Sequence, residues 1–93
     1  MDRDSALALL RSQHAFPGPF EFRVVVRPPV AAATISAMVA AAGSDAALEE
    51  LSERHSSGGK YVALHVRIRL SDAERVLDVY EVLRGVDGVM ASL

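Results

Sequence analysis

The stretch HSSGGKYVAL, residues 55–64, gathers an imidazole, two serine hydroxyls, two glycines and an ammonium within ten positions. The chemistry these groups suggest is anion capture. Glycines let successive backbone N–H groups converge on a phosphate, and a lysine adds charge. A phosphate loop must open a helix, because the helix N-terminus supplies the remaining donors and the favourable dipole. Here Gly58-Gly59 runs into YVALHVRIRL, which alternates with the period of a β-strand. A glycine pair ahead of a strand is instead the tip of a hairpin, where a positive φ is required. Ser56, Ser57 and Lys60 then sit at an exposed tip, where they can touch a partner.

The other reactive groups form no catalytic set. Of His14, His55 and His65, the last two can approach across the hairpin, but two ligands without a third make a weak metal site. The chain contains no cysteine, which removes thiol nucleophiles, thiolate metal sites and disulfides. No Ser-His-acid arrangement is recognisable. Acylphosphatase-type chemistry needs free N–H groups after the first strand, and Pro28-Pro29 removes two donors there. The expectation is a protein that is not an enzyme and holds no cofactor and no metal.

The elements that would position these residues are read from periodicity. Asp4 or Ser5 can cap a short helix through Ala6, Leu7, Leu9 and Leu10, and FPGPF ends it. Residues 1–19 are thus a helical segment and a Pro/Gly linker. FEFRVVVR alternates as a strand with Phe20, Phe22, Val24 and Val26 on its apolar face. The prolines can open a helix, VAAATISAMVAAAG, with Ile35, Met38, Val39 and Ala42 on one side and Gly43 as its stop.

Residues 44–55 favour helix by local signals, yet the strand after the glycines needs a neighbour. That requirement predicts a strand from about Glu49 to His55. Val62, Leu64, Val66 and Ile68 then face the core. SDAERVLDVYEVLRG is a helix with Ser71 and Glu74 as a capping box. Its stripe is Ala73, Val76, Leu77, Tyr80 and Leu83, and GVMASL closes the chain as a strand.

The order strand, helix, strand, strand, helix, strand makes two right-handed βαβ units joined by a hairpin. The expected fold is α+β: a ferredoxin-like βαββαβ sandwich of four antiparallel strands in order 4-1-3-2, with two helices on one face. Length and composition agree with a single domain over residues 1–93. The chain is 51% hydrophobic and 24% charged, with a net charge of −2, which suits a soluble domain and gives no sign of a polyanion partner. The acidic N-terminus does not read as a signal peptide, and no run is long enough to span a membrane, so a cytoplasmic protein is expected.

Such a sandwich leaves one sheet face open. Arg23, Val25, Arg27, Tyr61, Ala63, His65, Arg67 and Arg69 share it. Its arginines favour either pairing with Glu21, Glu49, Glu50 and Glu53, or contact with a partner. GGKYVALHV faintly resembles an RNA-recognition strand, but single-strand binding needs several stacked aromatics and this face offers Tyr61 alone.

FPGPFEFRVVV, SSGGKYVALHVRI and VLDVYEVLRGVDGVM together resemble the YbeD-like family of small bacterial proteins of unknown function, the UPF0250 group. The resemblance covers the chain from about Ala6 onward. It departs at Lys60, where asparagine is frequent, and at Arg27-Pro28-Pro29, where a glycine often follows. It transfers motif membership and no catalytic residue. It implies a fold similar to the ACT-type regulatory domains, and with it a regulatory or ligand-sensing role. The expected function is a small regulatory or interaction module that binds a partner protein, a second copy of itself or a small molecule. The alternative is an RNA-binding-like platform. The candidate surface is Arg23, Val25, Arg27, Ser56, Ser57, Lys60, Tyr61, His65 and Arg67.

Overall fold

A computed structural model describes residues 2–92. Three helices and four strands follow in order: α1 Arg3–Gln13, β1 Gly18–Val26, α2 Ala31–Ala42, β2 Ala47–His55, β3 Val62–Leu70, α3 Ala73–Gly85 and β4 Val89–Ser92. The strands form one antiparallel sheet in the order β2-β3-β1-β4. This is the expected ferredoxin-like sandwich, with α1 added at the N-terminus. No helix is long and apolar enough to cross a membrane among the described residues.

Alternation decides the two central strands. Gly18, Phe20, Phe22, Val24 and Val26 are buried, as are Val62, Leu64, Val66, Ile68 and Leu70. They pair across the ladder, Phe22 with Val66 and Val24 with Leu64, so the apolar residues of both strands stand on one face. Met38 and Ala42 of α2, with Val76, Val79 and Leu83 of α3, close over that face. Val79, absent from the expected stripe, is fully buried, and Leu77 and Tyr80 are only partly so. The stripe is rotated because α3 packs against α2 as well as against the sheet.

β1 begins at Gly18, inside the segment read as a linker, and Pro19 pairs with Arg69. The strand predicted against local propensity is present and starts at Ala47, two residues earlier than expected. Pro28–Val30 forms a 3-10 turn that leads into α2.

The helix starts differ from the expected caps. Asp2, not Asp4 or Ser5, caps α1, and its carboxylate accepts from the Ser5 N–H at 2.7 Å. At α3 the N-cap position is Asp72, so the Ser71/Glu74 capping box does not form. Asp72 faces α1 instead, where Arg11 donates to it at 2.9 Å. That hydrogen bond holds the Asp72 carboxyl below the usual carboxylate range. Arg3 lies 3.8 Å from Asp78. α1 therefore runs antiparallel to α3, its two ends tied by charge pairs that local pattern does not show.

Candidate functional site on the open sheet face

The face away from the helices is built in rows set by the strand register. One row reads Glu50, Arg67, Glu21 across β2, β3 and β1; the next reads Ser52, His65, Arg23; the next reads Arg54, Ala63, Val25. Sequence places the arginines of this face on an equal footing, but the register separates them into two groups.

In the first row the charges are satisfied. Arg67 donates to Glu21 at 2.8 Å and to Glu50 at 3.1 Å. His65 Nε2 lies 3.3 Å from Glu21 Oε2, and Arg69 is 4.0 Å from Glu49. The Arg67 hydrogen bond, and then the His65 contact, hold the Glu21 carboxyl below its ordinary range. The same network raises the Arg67 guanidinium, first through Glu21. Exposed pairs of this kind keep an open sheet soluble and add little stability.

The sign of the linkage follows from that direction. A depressed carboxyl contributes stability above its unfolded value and loses it as pH falls through the folded value. Glu21→Gln should therefore melt below wild type at neutral pH, and the gap should narrow toward about pH 3. Thermal melts across that interval check this; a gap that widens in acid would contradict the assignment.

In the rows toward the hairpin the cations are free. Among the described residues, Arg23, Arg27 and Arg54 have no carboxylate partner. Arg23 and Arg54 rim a depression of about 370 Å³ whose lining includes Val25, Ala63, Ser52 and His65. An adjoining depression of about 290 Å³ brings in His55, Ser56 and Tyr61. Lys60 Nζ stands 5.9 Å from the centre of the Tyr61 ring. The surface is thus a small apolar patch edged by unpaired positive charge.

Several expected participants have other duties. Ser56 closes the hairpin: its N–H donates to the Tyr61 carbonyl at 2.8 Å, and its hydroxyl accepts from the Tyr61 N–H at 2.9 Å. Ser57 begins a 3-10 turn, and Gly58 and Gly59 have φ of 84° and 70°, as a tight reversal requires. Arg67 is held between the carboxylates of Glu21 and Glu50. Glu53, expected among the pairing acids, lies opposite Leu64 and so on the helix side of β2. His55 lies opposite Val62, also on that side, whereas His65 is on the open face. The two histidines therefore stand three positions apart along the ladder and are not brought together. His14 packs edge-on against Phe20, with ring centres 4.9 Å apart. Among the described residues no three His, Asp or Glu side chains are placed to hold a metal.

Arg54, on β2, is the surface residue that sequence reading missed. Its signal was the register: two residues beyond Ser52 on the strand, it falls on the open face opposite Ala63.

Comparison with known proteins agrees with this architecture. Residues 11–93 match the family model described as protein of unknown function (DUF493). A UPF0250 protein of Xylella fastidiosa (strain M23) is 37% identical over 76 residues, covering 78% of this chain and 83% of that protein. Its counterpart in strain 9a5c is 36% identical over the same length. The solution structure of the C-terminal domain of the MgtC protein from Mycobacterium tuberculosis superposes with a TM-score of 0.71. That match covers 86% of this chain and 87% of that one at 17% identity, a likeness of fold. On its sequence, its relatives and its four-stranded sandwich, the chain belongs to the DUF493 family, the UPF0250 proteins of unknown function.

Proposed function

We propose that the chain is a small interaction module that acts by binding and not by catalysis, and that it takes a short acidic protein segment onto the hairpin half of its open sheet face. The observation that supports this is the division of charge. Half of the face neutralises itself, and the other half leaves Arg23 and Arg54 unpaired beside Val25, Ala63 and Tyr61, with the exposed Arg27 just past the end of β1. An apolar patch with cations at its rim fits a modest, reversible contact, in which the buried aromatic supplies affinity and the charges supply selection. The ligand class that matches is a peptide segment carrying carboxylates beside one or two apolar side chains. A regulatory role follows if such a contact controls the partner.

The test pairs capture from a bacterial extract with shift mapping of the recovered partner on labelled chain. Shifts should gather at Val25, Tyr61 and Ala63. The Arg23→Glu, Arg27→Glu double variant should stay folded and bind at least about tenfold more weakly, since each tenfold step corresponds to about 1.4 kcal/mol. Shifts confined to α2 and α3 would place the contact on the other side of the molecule. Recovery of RNA with a steep loss of affinity in salt would favour a nucleic-acid platform instead.

A further inference from the structure

β2 is bare on both sides along its whole length. All nine of its residues are exposed, while β1 and β3 alternate between buried and open positions. Leu48 and Leu51 point to the helix side yet remain 42% exposed, because the helices cover the sheet's centre and not this edge. The backbone is free as well. The Ser56 N–H bonds to the Tyr61 carbonyl, so by the alternation of an antiparallel ladder Arg54, Ser52 and Glu50 turn their peptide groups toward β3. Leu51, Glu53 and His55 turn theirs outward.

Charged residues on an edge strand ordinarily keep it from pairing. Here the order Glu50-Leu51-Ser52-Glu53-Arg54 behaves differently under a two-fold axis. Centred on Leu51, antiparallel pairing would set Glu53 opposite Glu49 of the other copy. Centred on Glu53, it would set that carboxylate against itself. Centred on Ser52, it sets Glu50 opposite Arg54 twice. It also puts Leu51 against the stem of Glu53 and brings the two Leu51 side chains onto one diagonal. The Glu50–Arg54 pairs then occupy non-hydrogen-bonded sites, where facing side chains come closest.

We propose that β2 pairs with β2 of a second copy of the chain, antiparallel about a two-fold axis through Ser52, so that the two sheets become continuous. The interface is small, so the dimer is reversible and concentration-dependent. Arg54 moves from the rim of the open face into the interface, and Arg23, Arg27 and Lys60 remain for a ligand. The pairing does not depend on the partner-binding reading.

The absence of cysteine makes the register directly testable. Ser52→Cys places two thiols opposite one another, with Cα atoms about 4.5 Å apart, inside the range a disulfide spans. Arg54→Cys places its thiols four residues apart along the ladder, roughly 14 Å. Mild oxidation should give covalent dimer at least about ten times faster for Ser52→Cys than for Arg54→Cys. Sedimentation of wild type should show mass rising with concentration. Arg54→Glu should shift it toward monomer, and Glu50→Arg with Arg54→Glu should restore it. Wild type that stays monomeric at about 1 mM, equal cross-linking rates, or a folded double variant that remains monomeric would each overturn the proposal. Should Arg54→Glu fail to fold by circular dichroism, the cross-linking pair and the wild-type concentration series decide alone.

Discussion

Phe22→Ala should lose about 3–5 kcal/mol of stability in urea denaturation. Phe22 is fully buried at the centre of β1. Its ring centre lies 4.9 Å from that of Phe20 and 5.3 Å from that of Tyr80, the latter edge-on. Tyr80 is on α3, so the ring joins sheet to helix layer. Aromatic residues make up only 5% of the chain, and the core around the ring is mostly valine, leucine and alanine, short side chains that refill little of the space a lost ring leaves. A domain of this size has on the order of 5–15 kcal/mol in total, so the loss is a large share. Leu64→Ala, also fully buried, should cost roughly 2–5 kcal/mol by the same cavity argument. Arg67→Ala, three residues along and on the open face, should be close to neutral because its ion pairs are exposed. Midpoints at unchanged m-value measure the series. An Arg67 variant less stable than the Leu64 variant would mean that the face network, not the core, holds the strand.

The difference between Leu64 and Arg67 was legible in the sequence because it rests on alternation, a local signal. So were the helices and the hairpin tip. β2 is the instructive case. Its composition, ALEELSERH, favours helix, and all nine residues are exposed, so no apolar face announces a strand. It is a strand because β3 offers an edge and the Gly58-Gly59 reversal brings the segment back along it. That reason lies in the neighbour, and only the order of elements reveals it. The candidate surface was legible to the level of the face and no further. Arg23 and Arg67 both alternate outward, and nothing nearby in the chain tells them apart. What separates them is register: Arg67 lies between Glu21 and Glu50, while the β3 residue opposite Arg23 is His65. Pairings distant in sequence likewise hid the Arg11–Asp72 tie, which draws Asp72 toward α1.

Gly18 shows how a residue can be marked by sequence for the wrong reason. Between two prolines it reads as a source of backbone freedom for a turn. In the structure it is the first residue of β1, paired with Leu70, and its φ is not in the left-handed region. What it provides is room. A Cβ at this position would stand 2.5 Å from the carbonyl oxygen of Ala15 and 3.5 Å from its carbonyl carbon. Both are backbone atoms, so no side-chain rotation relieves the overlap and the 15–18 segment itself must move. That segment seats Phe16 against the core and holds His14 against Phe20. Gly18→Ala should therefore cost about 1–3 kcal/mol or more, as overpacking against a fixed neighbour does. It should also speed amide exchange at Leu7 and Leu10 in α1 as the entry to the sheet shifts. Gly85→Ala is the matched control. It lies at the end of α3 with open space around its Cβ position and an ordinary φ, and it should be neutral or gain up to about 1 kcal/mol from helix propensity. If the Gly18 and Gly85 variants denature together with wild type, the close approach of Ala15 to β1 is not a constraint on the fold, and α1 is held to the body by the burial of Leu7 and Leu10 and its charge pairs with α3.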